Sequence, residues 1–556
     1  MNMITFEGLL VEIDADPDLL PKRQRDLASA VRTFTKNLDI DPLSSAAGIE
    51  PYRRRLERFS PASANMKEHT WSTVRSNVRF VLARYGIIDR RPKPNDLNPN
   101  WRDLRDHASR ADIRLVRGLS ALIHFCSAQG IEPEDVDDEA LDRFRGYLVN
   151  DTFTKSVNSK HRQTCDLWNR ACAAVPGWPQ RRVRKPVYHN HFSFPLTAFP
   201  ESFQQEFQRW DDRLAGDDLF DPGAPDRPQS PRTRHTEREQ VRRFASALVL
   251  SGHDINGITS LADLVVPEHF RQALTHLLER YGGPKRHLRN QASTLIYIAK
   301  RWVEADDHVL ETLKAMRKQL RCPRAGLTPK NKTILRQFND PLNVAKIVNL
   351  PDRLLAEAKK RKNPNKAALL VQTALAIEIL LIAPIRLRNL LTLGFDAHLA
   401  YSRAGRKGVV HIVIPGEEVK NDEPLEFELP KSTVELLEYY RRIFRPRLSA
   451  GESTWFFPGE GGHKHESTLS GQIVKAIHKF TGLTLTVHVF RHLAAKLYLD
   501  ENPGDYETVR RLLGHRSIAT TINFYTEFET IAAFKRYDDV IQRHRKQLVR
   551  NLRKER

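Results

Sequence analysis

One run near the C-terminus collects side chains that could bind an anion and move protons. His488 and Arg491 lie three residues apart, so they project from one face if the segment is a helix. Gly514 follows two leucines and predicts the end of a helix, which leaves His515 in the turn. The next segment ends at Tyr525. Arginine binds anions through a planar fork, histidine transfers protons near neutral pH, and a tyrosine hydroxyl can act as a nucleophile.

The composition indicates a polyanionic partner. The 556 residues include 89 Lys or Arg against 68 Asp or Glu, which gives a net charge of +21. Hydrophobic residues make up 40%, enough for each domain to bury a core, and the length predicts three to four domains or one long array. The four cysteines form no C-x-x-C pair, which argues against a disulfide scaffold, an iron–sulfur site or a cysteine-rich zinc site and fits a reducing compartment.

Two segments further upstream complete the pattern around these residues. The sequence APIRLRNLLTL places Arg386 at the end of the most apolar stretch of the chain. Lys420 stands in Val-Lys-Asn, just before residues 424–430, in which apolar and acidic side chains alternate. The other motifs are H-x-x-R at 488–491, L-G-H at 513–515, Tyr525 and the TWFFP segment at 454–458. Together with the two upstream segments, these motifs resemble the tyrosine recombinase (phage integrase) family over about residues 325–540, and they occur in the family's order.

The resemblance implies that the substrate is a DNA phosphodiester, whose transition state for strand cleavage carries negative charge. Arg386 and Arg491 would form a clamp on that charge. His488 and His515 would donate hydrogen bonds to the non-bridging oxygens, and one of them would take the proton of the nucleophile.

The resemblance also assigns the groups that make and break bonds. Tyr525 would attack the phosphorus and form a 3′-phosphotyrosyl link, and its ordinary pKa of ~10 means that it needs nearby cations or a base. Lys420, on a mobile hairpin, would protonate the leaving 5′-oxygen. Because the link conserves bond energy, we expect neither ATP nor a metal or other cofactor, and the sequence contains no Walker A pattern.

Three positions next to the motifs need a separate interpretation. The family usually has an acidic residue three positions after its first arginine, where this chain has Asn389. Arg388 could be mistaken for Arg386, which we prefer because its place in the apolar pattern fits the motif. The sequence His-Leu-Ala-Ala at 492–495 departs from the more usual His-Thr-Phe-Ala, a change that we assign to packing rather than to chemistry.

Neither a metal site nor a membrane or secretory segment is predicted. The run GHKHE at 462–466 has two histidines without partner ligands, so we expect a loop that faces solvent or DNA. The most apolar stretch, 367–383, contains Gln372 and Glu378 and is predicted to be a buried core helix. The N-terminus has no basic segment before an apolar run. We therefore expect a soluble cytoplasmic protein that is associated with the nucleoid.

The predicted fold is mostly α, with a small β-hairpin in the catalytic domain. A pattern of three helices occurs three times before residue 305, either by shared ancestry or as three unrelated bundles. An alternating stretch at 409–414, followed by Leu425, Phe427 and Leu429, predicts the hairpin. The predicted helices are 22–38, 49–59 and 70–85; 114–129, 139–149 and 159–173; 236–250, 267–280 and 288–302; and, nearer the C-terminus, 342–362 and 367–393.

Breaks in this pattern give the predicted domains. Residues 88–107 and 211–235 are rich in proline, and the second segment is predicted to be a stiff linker. Thr236-Glu-Arg-Glu is typical of a capping box at the start of the third copy. The predicted parts are an N-terminal helical domain at 1–107, a second helical domain at 108–210, the linker at 211–235, a domain similar to the family's core-binding domain at 236–322, and the catalytic domain with a basic tail at 323–556.

We therefore predict a site-specific DNA recombinase or integrase of a mobile element that forms a synaptic tetramer on DNA. The alternatives are a telomere resolvase or relaxing topoisomerase with the same chemistry, and a DNA-binding regulator without catalytic activity. The target sequence, partner recombinases and accessory DNA-bending proteins stay open. We expect the first two helical copies to contact flanking DNA rather than another protomer, because arginines are concentrated in the first copy. Those arginines are Arg53, Arg54, Arg55, Arg75, Arg79 and Arg84.

Overall fold

The protein is mostly helical, as the sequence predicts. The structure is a computed structural model that describes residues 4–89, 97–188, 193–216, 225, 228–321, 326–402, 409–449 and 453–554. Helices dominate these residues, and two small antiparallel sheets lie in the C-terminal part. The contacts divide the chain into two compact units, Val187–Arg324 and the remainder, which comprises Met1–Pro186 and Ala325–Arg556.

Each of four successive parts of the described chain buries its own apolar core. We call them the N-terminal, second, third and C-terminal domains, and their cores extend from Phe6 to Ile88, Leu97 to Val183, Phe199 to Leu320 and Leu327 to Tyr525. The helices of the first three domains are α1 Phe6–Ala15, α2 Pro21–Asn37, α3 Arg53–Arg58 and α4 Glu68–Arg84; α5 Pro99–Ala111, α6 Ile113–Ala128, α7 Asp138–Asn150 and α8 Val157–Ala174; and α9 Glu201–Ala215, α10 Pro231–Leu250, α11 Pro267–Tyr281, α12 Arg286–Arg301 and α13 Asp307–Gln319.

The predicted helical repeat is confirmed, and it is one helix longer than predicted. All nine predicted helices are present, and α1, α5 and α9 each add a helix before a copy. The first predicted helix of each copy, which is α2, α6 or α10, is followed by a residue with positive φ, and this turns the chain in the left-handed way that ends helices. These residues are Asp39, Gly130 and Gly252, and the next N–H donates to a carbonyl five positions back, from Ile40 to Thr35, Ile131 to Cys126 and His253 to Leu248.

The cores move the predicted domain boundaries. The segment 88–107 is only partly a break, because α5 buries Trp101 and Leu104 in the second domain. Helix α9 belongs to the third domain, where its Phe203 and Trp210 are buried, so the second domain does not extend to residue 210. In both helices the apolar spacing is hidden by many charged neighbours.

The predicted linker and capping box also differ from the structure. Residues 211–215 end α9, and Pro231 begins α10, whose N-cap is Ser230. The Ser230 side chain accepts the N–H of Thr233, so the helix starts six residues before the predicted cap at Thr236. Ten residues of the predicted linker, 217–224, 226 and 227, lie outside the described residues.

The C-terminal domain surrounds one long apolar helix with shorter helices and a three-stranded sheet. Proline divides both long predicted helices: 342–362 forms two helices with Pro351 near the start of the second, and 367–393 is interrupted at Pro384. The elements are α14 Pro329–Arg336, α15 Pro341–Val348, α16 Leu350–Lys359, α17 Pro364–Ile382, α18 Leu387–Leu391, α19 Phe395–His398, β1 Leu399–Tyr401, β2 Val410–Ile414, β3 Leu425–Glu428, α20 Lys431–Tyr439, β4 Pro458–Gly459, β5 Gly462–His463, α21 Glu466–Thr481, α22 Val487–Glu501, α23 Tyr506–Leu513 and α24 Ile518–Lys554.

The sheet and the apolar helix match their predictions. Strands β2 and β3 pair antiparallel as the predicted hairpin, with Ile412 opposite Phe427, and β1 adds a third strand on the other side of β2. Helix α17 is long and apolar enough to cross a membrane, and among the described residues it is the one helix that is. Its Val371, Leu375 and Ile379 are buried in the core of the C-terminal domain.

Candidate active site

Arg386 lies where the apolar helix α17 gives way to the short helix α18. Pro384 cannot continue α17, so the chain becomes extended and Arg386 takes the N-cap position of α18 with φ −71° and ψ 151°. Its Nη1 atom is buried and has no hydrogen-bond partner among the described residues. Burial lowers the pKa of this guanidinium. A buried donor without a partner is costly, which indicates a place for an acceptor.

Arg491 lies beside it and is almost entirely buried, at 4% exposure. It projects from α22, and its Nη1 donates to the carbonyl of Pro384 at 2.6 Å while its Nη2 donates to the carbonyl of Leu513. These two bonds join the Arg386 segment to the end of α23. Burial, and then the charge of Arg386, lower the pKa of Arg491 to about 10.

Two histidines flank the arginine pair. His488 is in the first turn of α22, and its ring is covered on one side by His492 while the rest of the residue is exposed. His515 follows Gly514, the left-handed residue that ends α23, and its Nδ1 is 2.9 Å from Oγ1 of Thr521. Loss of water around the ring, followed by the charges of Arg491 and Arg386, lowers the pKa of both histidines, for His515 to about 4. Both rings are therefore neutral at neutral pH.

Tyr525 projects from α24 into the core and is 1% exposed. Its hydroxyl is 2.9 Å from Nδ1 of His492, which is also buried. Burial raises the pKa of Tyr525, while Arg491 opposes that change. Burial and then the neighbouring histidine and arginine charges lower the pKa of His492 to about 3. The tyrosine is thus protonated, beside a neutral imidazole that can accept its hydrogen bond.

His492 is the residue of this site that the sequence interpretation missed. The packing assignment concerned the residues after it and gave His492 itself no role, yet its ring contacts the proposed nucleophile directly and meets His488 edge-on, with ring centroids 5.1 Å apart. A sequence signal was available: on a helix, position 492 lies four residues after His488 and next to Arg491.

Lys420 is at the edge of this group rather than inside it. It is exposed in the connection between β2 and β3, as predicted. The side-chain amide of the next residue, Asn421, donates to the carbonyl of Gly514 at 2.7 Å, which brings the loop to the turn that carries His515. Among the residues that the structure describes, the Lys420 ammonium has no hydrogen-bond partner.

The segment at 462–466 matches the predicted solvent-facing loop only in part: His463 and His465 are exposed, but the segment is ordered and Lys464 points inward. Gly462 and His463 form β5, and His465 caps the N-terminus of α21. Lys464 is buried, with its Nζ hydrogen-bonded to Oε1 of Gln372, and burial lowers its pKa to about 8. Within the described part of the chain, no group of three or more His, Cys, Asp or Glu side chains is placed to hold a metal ion.

The arrangement is thus a pair of arginines without a carboxylate partner in the described structure, surrounded by neutral histidines and a tyrosine. A comparison with family models matches residues 351–530, which include all six predicted site residues, to the phage integrase family. The predicted family resemblance is confirmed, and we call the C-terminal domain the integrase domain below.

Known proteins are similar to parts of this chain. The protein y4qK of Sinorhizobium fredii has been named as an integrase/recombinase on similarity. It is 33% identical to this chain over 116 residues, which are 20% of this chain and 35% of y4qK. Tyrosine recombinase XerD of Listeria monocytogenes is 28% identical over 183 residues, 32% of this chain and 56% of XerD. The chain thus spans between about a third and somewhat over half the length of the first curated relatives it matches. The crystal structure of XerH recombinase bound to its difH substrate has 17% identity and a TM-score of 0.33, covering 54% of this chain and 79% of XerH.

Proposed function

We propose that this chain is a site-specific tyrosine recombinase that cleaves and rejoins DNA of a mobile element. One observation supports this most strongly: Arg386 and Arg491 are held together in the protein without a carboxylate partner among the described residues. Two like charges at close range oppose each other, and burial removes the water that would screen them. A phosphodiester anion between them would supply the missing negative charge and the missing hydrogen-bond acceptor.

The proposed reaction forms one bond and breaks one. The Tyr525 hydroxyl oxygen attacks phosphorus and gives a 3′-phosphotyrosyl bond, while the bond from phosphorus to the 5′-oxygen breaks. The tyrosine proton passes to His492, the neutral base at 2.9 Å. The leaving 5′-oxygen takes a proton from Lys420. His488 and His515 complete the set of donors around the non-bridging oxygens.

Access to Tyr525 requires a movement of the surrounding groups. At 1% exposure its hydroxyl cannot approach a phosphorus atom of a DNA strand. Most of the first residues of α24, between His515 and Tyr525, are exposed, and Thr521 is the buried one, in contact with His515. This is the segment that we expect to shift when DNA binds.

Charge and apolar surface support DNA and a second copy of the chain as partners. The net charge is +21, and exposed basic residues of α12 and its end include Arg289, Lys300 and Arg301. On α24, Phe534 and Tyr537 are 69% and 65% exposed, three residues apart on the helix. We propose that this apolar pair packs against another protomer during synapsis, in a tetramer on two duplexes.

Covalent capture on DNA tests the proposal. The probe is a pool of nicked duplexes with a randomised core, from which strands attached to the protein are isolated and sequenced. We expect the wild type and Tyr537→Phe to form the covalent product, and Tyr525→Phe to form none because the attacking oxygen is absent. Capture by Tyr525→Phe would contradict the proposal. On the captured site, joint molecules between two duplexes are the expected product, and plasmid relaxation without joint molecules would indicate a topoisomerase instead.

A further inference from the structure

The loop that carries Lys420, residues 415–424, is compact. We call it the lysine loop. Its backbone N–H groups at Val419 and Asp422 donate to Gly416 and Val419, both at 2.9 Å, and the Val419 side chain is buried in the domain core. A Cβ atom at Gly416 would lie 2.7 Å from the carbonyl oxygen of Asp422. Only glycine allows the two ends of the loop to approach so closely.

Before the lysine, Glu418 ties the loop to the segment that follows Arg386. The side-chain amide of Asn389 donates to the Glu418 carbonyl at 3.0 Å. Nε2 of His398 lies 3.0 Å from the Glu418 carboxylate, and the N–H of Gly394 donates to Nδ1 of the same ring at 3.0 Å. Because Nδ1 accepts, the ring hydrogen is on Nε2, where it donates to Glu418. Asn389 and His398 are buried, while the Glu418 side chain keeps part of its surface exposed.

After the lysine, Asn421 ties the loop to the turn that precedes His515. Its side-chain amide donates to the Gly514 carbonyl at 2.7 Å. Gly514 has φ +56°, and a Cβ atom there would lie 2.7 Å from a methyl carbon of Leu425, the first residue of β3. The lysine loop is thus attached before Lys420 to the segment that follows Arg386, and after Lys420 to the turn that precedes His515.

We propose that Asn389, His398, Glu418 and Asn421 are positioning residues that set the Lys420 ammonium against the leaving 5′-oxygen. This inference rests on the proposed function, in which Lys420 is the general acid. Proton transfer requires donor and acceptor within hydrogen-bond distance, so a lysine on a long exposed side chain depends on a fixed backbone.

The type of residue at 389 agrees with this role. Asparagine donates N–H to the Glu418 backbone carbonyl, whereas an ionised carboxylate at the same position has no hydrogen to donate and would face the lone pairs of that carbonyl. The isosteric change Asn389→Asp therefore removes the attachment without removing side-chain volume.

Two matched substrates separate a positioning role from a general structural role. Both carry the DNA site found by covalent capture; one is ordinary DNA, and the other has sulfur in place of the bridging 5′-oxygen at the scissile phosphate. A thiolate leaves without a proton, so the sulfur substrate does not need the acid. The variants are Glu418→Ala, Asn421→Ala and Asn389→Asp, and the control is Glu417→Ala, which removes the neighbouring exposed carboxylate of the same turn.

We expect the three variants to cleave ordinary DNA about 10-fold more slowly or worse, part of the 10²- to 10⁴-fold that a general acid supplies, and to cleave the sulfur substrate at the wild-type rate. Glu417→Ala should match the wild type on both. The double variant Glu418→Ala/Lys420→Ala should cleave ordinary DNA at the same rate as Lys420→Ala alone, because both changes act on the same proton transfer. Equal losses on the two substrates, or no loss on ordinary DNA, would overturn the inference. Absence of covalent product from the wild type on both substrates would instead overturn the proposed function.

Discussion

The hydroxyl of Tyr525 and Nδ1 of His492 lie 2.9 Å apart in the core of the integrase domain, although the two residues are 33 positions apart in the chain and lie on different helices. Burial raises the pKa of the tyrosine and lowers that of the histidine to about 3, so the proton stays on the tyrosine in the absence of DNA. A phosphate anion beside Arg491 would favour the charged imidazolium, because opposite charges stabilise each other. DNA binding would thus make His492 a better base at the moment when the nucleophile is needed.

The variant His492→Asn tests whether the ring takes the proton or only orients the hydroxyl. An asparagine oxygen can accept the tyrosine hydrogen bond from nearly the position of Nδ1, but an amide does not take up the proton. We expect His492→Asn and His492→Ala to slow covalent capture to a similar degree, about 10² or more, as loss of a general base implies. Equal melting temperatures of His492→Asn and wild type serve as the folding control. Wild-type capture by His492→Asn would limit His492 to orientation.

The arginine pair should reduce the stability of the DNA-free protein. In Arg386→Gln the repulsion with Arg491 is absent, so we expect a melting temperature equal to or above that of the wild type. Cleavage should fall by about 10² or more, because a clamp on the charged transition state is lost. The control is Arg388→Gln, which removes an exposed arginine two residues away. A cleavage defect in Arg388→Gln but not in Arg386→Gln would show that the motif was placed on the wrong arginine.

The buried histidines should make the DNA-free protein sensitive to acid. The pKa of His515 is lowered from 6.5 to about 4 and that of His492 to about 3, so in the unfolded chain both bind protons at a higher pH than in the folded one. Their contribution to the free energy of unfolding is full above about pH 6.5 and is lost as pH falls toward 4; for His515 alone it is on the order of 3 kcal/mol.

Urea unfolding at pH 7.5, 5.5 and 4.5 measures this contribution. We expect His515→Asn to lose less stability than the wild type between pH 7.5 and 4.5. His308→Asn, at an exposed position of α13, should follow the wild type and corrects for the general effect of acid on a chain of net charge +21. Parallel curves for His515→Asn and wild type would contradict the prediction.

Local patterns predicted much of this molecule. The 3.6-residue spacing of apolar side chains located all nine helices of the repeat, and alternation located the β2–β3 hairpin, because each signal depends on only a few neighbouring residues. Helix α5 was missed because Trp101, Leu104 and Ala108 are separated by charged side chains and preceded by prolines that suggest a loop. Its burial depends on a partner helix rather than on its own composition.

Contacts between distant segments were not predictable in this way. The His492–Tyr525 pair exists only because α22 packs against α24. The arginines of the N-terminal domain were assigned to DNA, yet the structure shows that several bind the protein instead. Arg55 donates to the carbonyls of Leu38 and Asp39, and Arg84 pairs with Asp16 and Asp18. A sequence shows the charge but not the carbonyl or carboxylate that folding places beside it.

Arg53 shows the same effect between two domains. Its guanidinium donates to backbone carbonyls at the end of α7 and just beyond, in the second domain; the acceptors are Leu148, Val149, Thr152 and Thr154. We expect Arg53→Ala to lower the free energy of unfolding by about 2 kcal/mol, because hydrogen bonds from a charged donor are lost at a partly buried site. The control is Arg54→Ala, at the exposed neighbouring position.

DNA binding by the same two variants tests the original assignment. The slope of log K against log[salt] reports the number of phosphates contacted, at ~0.9 per contact on duplex DNA. We expect Arg53→Ala to leave this slope unchanged, since its guanidinium is committed to the second domain. A slope reduced by about one contact in Arg53→Ala would restore the DNA role that the sequence suggested.

The N-terminal domain also rests on the integrase domain through a contact that one glycine permits. Ser60 Oγ donates to the carbonyl of His478 at 2.7 Å, near the end of α21. Gly482 caps that helix with φ +77°, and a Cβ atom there would lie 2.6 Å from the backbone nitrogen of Ser63. Backbone atoms cannot move aside as a flexible side chain can. Gly482→Ala should therefore separate the two surfaces.

The matched control for this prediction is Gly461→Ala. Gly461 also has positive φ, +74°, but a Cβ atom there would meet nothing within 4 Å, so the change introduces only the backbone strain of about 1 kcal/mol. Hydrogen exchange at residues 60–66 measures the contact directly. We expect faster exchange there in Gly482→Ala and wild-type exchange in Gly461→Ala, with covalent capture retained in both because neither residue lies among the proposed catalytic groups. Unchanged exchange in Gly482→Ala would show that the N-terminal domain does not depend on this contact for its position.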